Sequence, residues 1–167
     1  MNLLIDGYNL MHVLGYARSG LRPGQLERAR VRFLDWVAKA ATGKTATLCL
    51  VFDAKNSPVR SPPTNHKGLW VRYAYGRTAD DEIEELLAAK PSSRKLTVVS
   101  NDTRLQVAGR RCGGGAMSCQ EFIDWLQTPS PPRNTATSQA PEKPESETSE
   151  EIAAWIAAFT IPPRRRS

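Results

Sequence analysis

Short apolar segments that end near an aspartate recur along this chain, and they constrain its fold more than any other feature. Asp6, Asp53 and Asp102 each follow such a segment, and predicted helices separate one segment from the next. Strands that alternate with helices form a parallel sheet covered by helices on both faces, through right-handed connections. Because the carboxyl ends of parallel strands lie along one edge of the sheet, we expect these aspartates to meet there.

The periodicity of apolar residues supports this alternation. Residues 24–41 carry apolar side chains along one helical face and arginines on the other, whereas residues 47–52 form the continuous apolar run of a strand buried on both faces. The other segments predict strands at 3–5, 69–75, 96–99 and 116–117, and helices at 79–89, 102–110 and after Ser118. A polar loop with prolines is expected over 54–68. The predicted fold class is α/β, a three-layer α/β/α sandwich with a mostly parallel central sheet.

The composition is that of an ordinary globular protein. Hydrophobic residues make up 40% and charged residues 24% of the 167 residues, which excludes a fully disordered or fibrous chain. No stretch is apolar for long enough to cross a membrane, and the first residues lack the basic start of a signal peptide, so we expect a cytoplasmic protein. Three cysteines without metal-type spacing are expected to be reduced thiols.

The chain divides into three regions by composition. Residues 1–127 carry the whole formal net charge of +6, which favours a polyanionic partner such as nucleic acid. Residues 128–148 are rich in Pro, Ser, Thr and Glu and predict a flexible linker. Residues 149–167 predict a short amphipathic helix, with Trp155 and Phe159 on its apolar face, and a basic C-terminus. Such a short helix is not stable alone, so we expect it to dock on its own domain or on a partner, the ribosome among them.

Two further acids, Asp80 and Asp81, open the helix that follows the strand at 69–75. Two carboxylates about 4 Å apart repel each other by about 4 kcal/mol at an effective dielectric constant of about 20, so a cluster of them requires protons or a bound cation. Oxygen ligands without His or Cys suit Mg²⁺ or Mn²⁺. Four of the acids also have a local explanation, because Asp80, Asp81 and Asp102 could complement helix N-termini and Asp53 could form an Asx turn. Asp6 is harder to explain in this way, because it ends an apolar strand and precedes a glycine.

Four ordered blocks resemble a known family: 4–10 (LIDGYNL), 51–54 (VFDA), 78–84 (TADDEIE) and 98–102 (VVSND). Over about residues 2–127 the chain resembles the YacP-like NYN-domain ribonucleases, a branch of the PIN-like nuclease superfamily. The resemblance implies a metal-dependent endoribonuclease of mRNA decay or RNA processing, with Mg²⁺ or Mn²⁺ as cofactor. It implies Asp6, Asp80, Asp81 and Asp102 as catalytic metal ligands, with supporting roles for Asn9, Asp53, Ser100 and Asn101.

An RNA substrate also requires cations that flank the acids, since phosphate contacts supply most of the affinity. The candidates lie on loops or element ends near the predicted rim, and they are Arg18, Arg22, Arg60, Lys67, Arg72, Arg77 and Arg104. Arg28, Arg30 and Arg32 are interpreted instead as a solvated helix face.

Two other functions remain open at this stage. The first is a non-catalytic RNA- or ribosome-binding module on the same fold, which would bind without cleaving. The second is a phosphotransferase of the haloacid-dehalogenase type, which also places an aspartate after its first strand. That chemistry requires a second acid two residues later, where this chain has Tyr8, so the second alternative is disfavoured.

Overall fold

The computed structural model describes residues 1–54, 62–89 and 96–129, with six strands and five helices among them. The strands are β1 (Asn2–Asp6), β2 (Thr47–Asp53), β3 (Thr64–His66), β4 (Leu69–Ala74), β5 (Leu96–Val99) and β6 (Gly115–Met117). The helices are α1 (Gly7–Val13), α2 (Pro23–Ala40), α3 (Ala79–Ala88), α4 (Thr103–Arg111) and α5 (Cys119–Gln127). Arg60, most of the predicted linker and the predicted C-terminal helix lie outside the described residues.

One sheet contains all six strands, in the order β3-β4-β2-β1-β5-β6. Every neighbouring pair is parallel except β3 and β4, which pair as antiparallel strands at one edge. In the register of β1 and β2, Asp6 lies beside Val51, so Asp53 extends two residues farther along the same edge. The carboxyl ends of β1, β2, β4 and β5 therefore share one edge, which we call the rim.

Helices cover the two faces of the sheet unequally. On one face, buried side chains of α1, α2 and α5 form a core with alternate strand residues such as Leu3, Ile5 and Phe52. The other face receives α3 and α4, and Gly109 of α4 lies directly against Val98 of β5. Side chains alternate along a strand, so the strand residues that lie between the members of the first core point to this second face. Asp6 is one of these residues.

This architecture confirms the predicted α/β fold class, and most elements lie within a residue or two of their predicted bounds. The capping box at the start of α5 is also confirmed: the Ser118 hydroxyl accepts the Glu121 N–H at 3.2 Å, and the Glu121 carboxylate accepts the Ser118 N–H at 2.7 Å. Two elements escaped prediction. Helix α1 occupies residues with no apolar periodicity, and β3 lies in the segment interpreted as a loop.

Two further observations concern the described part of the chain. None of its helices combines the length and apolar character that crossing a membrane would demand. Cys49, Cys112 and Cys119 are free thiols, as the sequence predicts, and burial raises the pKa of Cys49 to about 12. An unreactive buried thiol of this kind contributes to packing rather than to chemistry.

Candidate active site

Asp6 is the buried centre of the rim. It ends β1 and caps α1, where its Oδ1 accepts the backbone N–H of Asn9 at 3.1 Å. Its Oδ2 lies 3.5 Å from the hydroxyl of Ser100, a side chain with no solvent exposure. Only 7% of Asp6 is exposed, and its two oxygens contact the start of α1 and the residue that follows β5.

The turn after β5 connects Asp6 to Asp102. The backbone N–H of Asp102 donates to the Ser100 Oγ at 3.0 Å, and Asp102 Oδ1 accepts the N–H of Arg104 at 2.7 Å. Asp102 therefore caps α4, as one of its sequence interpretations anticipated. Capping fixes the side chain at the rim and does not remove its charge from that edge.

Asp6 and Asp80 have raised pKa values, and the charge of Asp102 contributes to both. Burial, with added repulsion from Asp80 and Asp102, raises the pKa of Asp6 to about 6. Burial and the charge of Asp102 also raise the pKa of Asp80. Carboxylates that oppose each other's ionisation in this way provide a strongly negative site that attracts a cation.

Asp81 is held by Thr78 and Arg104. Its backbone N–H donates to the Thr78 hydroxyl at 3.1 Å, and its Oδ1 lies 3.3 Å from the guanidinium Nη2 of Arg104. Thr78 first, and then Arg104, lower the pKa of Asp81. Arg104 also donates to both oxygens of Glu84, at 2.6 and 2.9 Å. The paired aspartates that open α3 are thus divided, with Asp80 facing Asp6 and Asp81 held by Arg104.

The donor chemistry of the cluster fits a hard divalent cation. The groups are carboxylate oxygens and a serine hydroxyl, without imidazole or thiolate ligands, and this is the preference of Mg²⁺ and Mn²⁺. Within residues 1–54, 62–89 and 96–129, no three His, Cys, Asp or Glu side chains lie close enough as they stand to hold a metal ion. Such a site would need side-chain rotation on fixed backbone positions, or bridging water, to be complete.

The residues expected to support the acids differ in their positions. Asn9 Oδ1 lies 3.4 Å from the Cys119 thiol, beside Asp6, whereas Asn101 Oδ1 accepts the Cys119 N–H at 2.9 Å and so fixes the start of α5. Asp53 lies half-buried at the end of β2, next to Ala74. Sequence reasoning missed Cys119, whose pKa is raised to about 11 by burial and by the charge of Asp6. Nothing in the sequence pattern predicts that this thiol contacts Asn9.

The expected RNA-binding cations fall into two groups. Arg18 and Arg22 lie exposed between α1 and α2. Carboxylates pair with the others that the structure describes: Lys67 with Asp35, Arg77 with Glu82 and Glu85, and Arg104 with Asp81 and Glu84.

Arg72 corrects one expectation. It lies in the middle of β4, only 8% exposed, and its guanidinium pairs with the buried Glu82 of α3. Because this ion pair joins the sheet to α3, Arg72 lies inside the fold instead of near its edge. Its position within an apolar strand already marked it as a side chain that the sheet would bury.

The family model that describes the YacP-like NYN domain matches residues 3–157. The chain belongs to the YacP-like NYN family. The match continues thirty residues beyond residue 127, where the sequence resemblance was expected to end. NYN proteins are RNA-related nucleases, so family membership assigns a nuclease-like function to this fold.

Solved structures agree with the family. The crystal structure of Rae1 (YacP) from Bacillus subtilis is 25% identical over 76% of this chain and 74% of that chain, with a TM-score of 0.55. A point mutant of the same Bacillus protein is 26% identical over 75% of this chain and 74% of that chain, with a TM-score of 0.57. No curated protein sequence matches the chain.

Proposed function

We propose that this NYN protein is a metal-dependent endoribonuclease that hydrolyses phosphodiester bonds of cytoplasmic RNA. The observation that supports the proposal most strongly is the buried carboxylate of Asp6, whose ionisation is opposed by Asp80 and Asp102 at the rim. A fold gains no stability from such an arrangement, because each charge raises the cost of the others. The arrangement is understandable as a site for a cation and a phosphate.

Asp6, Asp80 and Asp102 would hold Mg²⁺ or Mn²⁺, directly or through water. When bound, such an ion polarises the scissile phosphate and lowers the pKa of an attacking water. Asp6 is the fixed member of the set, because the Asn9 N–H and the Ser100 hydroxyl hold both of its oxygens. Asp80 and Asp102 supply more exposed carboxylates that adjust around it.

Arg104 and Asp81 provide the adjustable side of the site. Arg104 is a cation within reach of the acids, and a phosphate that arrives at the rim competes with Asp81 and Glu84 for its guanidinium. Release of Asp81 would add a fourth carboxylate to the three already clustered. Asn9, whose amide lies beside Asp6, would orient a phosphate oxygen or a water.

The test is cleavage of an end-labelled single-stranded RNA by the full chain in Mg²⁺, in Mn²⁺ and in EDTA. We expect cleavage only with divalent ions, restored when the metal is added back. A circular RNA of the same sequence tests internal attack, because a closed circle offers no end to an exonuclease. Activity that survives EDTA, or that spares the circle, contradicts the proposal.

A second function, a non-catalytic RNA-binding module, is favoured by one observation. In the described residues Arg104 partly neutralises the acids of α3, and no three potential ligands are preassembled. A module of this kind would bind the same RNA equally in EDTA and yield no product in any metal. Association with ribosomes through residues 149–167 is a further proposal, tested by sedimentation of the full chain and of a variant that ends at residue 127.

A further inference from the structure

A groove on the α1–α2 side of the fold lies outside the acidic site. It has a volume of about 950 Å³, within the range of specific ligand sites, and lies between the α1–α2 connection and α2. Leu14, Tyr16 and Leu21 form its apolar wall, and Tyr16 packs edge-on against the core residue Phe33 at 5.7 Å between ring centres. The wall is therefore anchored in the core.

Three arginines line the same groove: Arg18, Arg28 and Arg32. All three side chains are exposed, and Arg28 and Arg32 lie one helical turn apart on α2, so they share a face. Among the described residues no carboxylate pairs with any of the three. The acid in the groove, Glu27, is engaged by Arg30. This contrasts with Lys67, Arg72, Arg77 and Arg104, each of which has a carboxylate partner.

Contacts of Arg30 relate α2, which carries two of the groove arginines, to the rim. Its guanidinium lies over the rings of Phe52 and Tyr73, each the next-to-last residue of its strand, and donates to the Tyr8 hydroxyl at 3.5 Å. The residues that precede Arg30 on α2 consequently lie at the level of the rim or beyond it. Arg28 therefore lies toward the rim end of α2, whereas Arg32, which follows Arg30, lies farther from the rim.

We propose that this groove binds the backbone of the single-stranded RNA substrate. Three uncompensated guanidinium groups match successive phosphates, and the apolar wall with Tyr16 accepts a base, as in other single-strand sites. The inference rests on the proposed function, since it takes RNA as the substrate. It also replaces the interpretation of Arg28 and Arg32 as a merely solvated face.

The test compares two full-length triple variants, both built on Asp6→Asn and studied in EDTA so that the RNA stays intact. The first carries Arg18→Gln, Arg28→Gln and Arg32→Gln. The matched control carries Lys39→Gln, Arg110→Gln and Arg111→Gln. These substitutions remove the same amount of charge from exposed positions in the last turns of α2 and α4. Fluorescence anisotropy with a labelled 12-nucleotide RNA reports affinity as a function of salt.

We expect the groove variant to bind about tenfold more weakly and its slope of log affinity against log salt to fall by about 2, since each lost phosphate contact on a single strand removes about 0.7. In the control variant, the affinity and the salt slope should both change less than in the groove variant. Equal losses in both variants would overturn the proposal, because net charge alone would explain them. Unchanged or tighter binding by the groove variant would also overturn it.

Crosslinking provides a second measurement that does not depend on substitutions. RNA that contains 4-thiouridine should crosslink to peptides from residues 14–32, and crosslinks confined to other regions would contradict the proposal. Failure of the proposed function is separable from failure of this inference. If the wild-type chain cleaves no RNA in Mg²⁺, only the proposed nuclease function is contradicted. If the wild-type chain cleaves RNA but the groove variant binds RNA as well as its parent does, only the groove proposal is contradicted.

Discussion

The Asp6 carboxylate accepts the backbone N–H of Asn9 at 3.1 Å, so the side chain that ends the first strand also starts the first helix. This one contact gives Asp6 two roles, a carboxylate of the candidate site and a helix cap, and the sequence predicts only the first. Asparagine caps a helix as well as aspartate does but carries no charge. The two roles can therefore be separated by a single substitution.

The first prediction concerns the stability of Asp6→Asn. The pKa of Asp6 is about 6 in the folded chain, against an ordinary aspartate value of 3.8, so the folded state favours the protonated form. The stability that this protonation provides is complete below about pH 4 and is lost as pH rises through 6. Without metal, Asp6→Asn should therefore match wild type near pH 4 and exceed it by about 3 kcal/mol at pH 8.

Urea unfolding at a series of pH values checks this prediction. Asp124→Asn, on the exposed face of α5, is the matched control and should track wild type throughout. A pH-independent difference between Asp6→Asn and wild type would mean that Asp6 is ionised normally in the folded chain.

The second prediction concerns Gly7, the residue between Asp6 and the rest of α1. A Cβ atom built there would lie 2.4 Å from the Phe52 ring, so Gly7→Ala must displace a buried aromatic side chain. Overpacking of this kind costs about 1–3 kcal/mol. Denaturant unfolding should show that loss, and cleavage should fall because α1 carries Asn9 away from Asp6. Gly24→Ala, where no atom lies within 4 Å of the added methyl group, is the control.

The third prediction concerns the ion pair of Arg72 and Glu82, which are 8% and 3% exposed. Arg72→Met leaves Glu82 with Arg77 alone, and breaking a buried pair typically costs about 3–5 kcal/mol. Adding Glu82→Gln should recover part of that loss in urea unfolding. If Arg72→Met instead unfolds like wild type but binds RNA weakly, Arg72 contacts phosphate and its structural role is refuted.

The fourth prediction concerns Arg104, which bridges Asp81 and Glu84 from the first turn of α4. Exposed ion pairs contribute little to stability, so Arg104→Gln should leave the unfolding midpoint unchanged. It should lower kcat for RNA cleavage by about tenfold or more, because the cation nearest the acids is lost. Arg111→Gln, at the far end of the same helix, should leave kcat unchanged. Equal kcat values for the two variants would exclude a role for Arg104.

Apolar patterning and the rule that parallel strands end together predicted the sheet, four of the helices and the edge on which the acids lie. The same reasoning missed α1, because Gly7 and Asn9 are poor helix formers and only contact with the core stabilises so short a helix. It missed β3, a three-residue polar strand that exists through pairing with β4. Both elements depend on tertiary contacts that local patterns do not encode.

The geometry of the candidate site likewise depends on tertiary contacts that the sequence pattern does not encode. Asp80 and Asp81 look equivalent in sequence, yet successive helix residues point about 100° apart, so only one of them can face Asp6. Which one does so depends on how α3 packs on the sheet. The partners of Arg72 and Arg104 likewise lie on a different element from each arginine, and no spacing in the sequence announces them.

The central claim is that Asp6, Asp80 and Asp102 serve one divalent ion together. Titration of Mn²⁺ into the full chain, followed by electron paramagnetic resonance of the free ion, measures this directly. The account predicts a saturable site in the wild-type chain and in Asp124→Asn that is lost in Asp6→Asn, Asp80→Asn and Asp102→Asn alike. Mn²⁺ binding that survives each of the three substitutions unchanged would contradict a shared site.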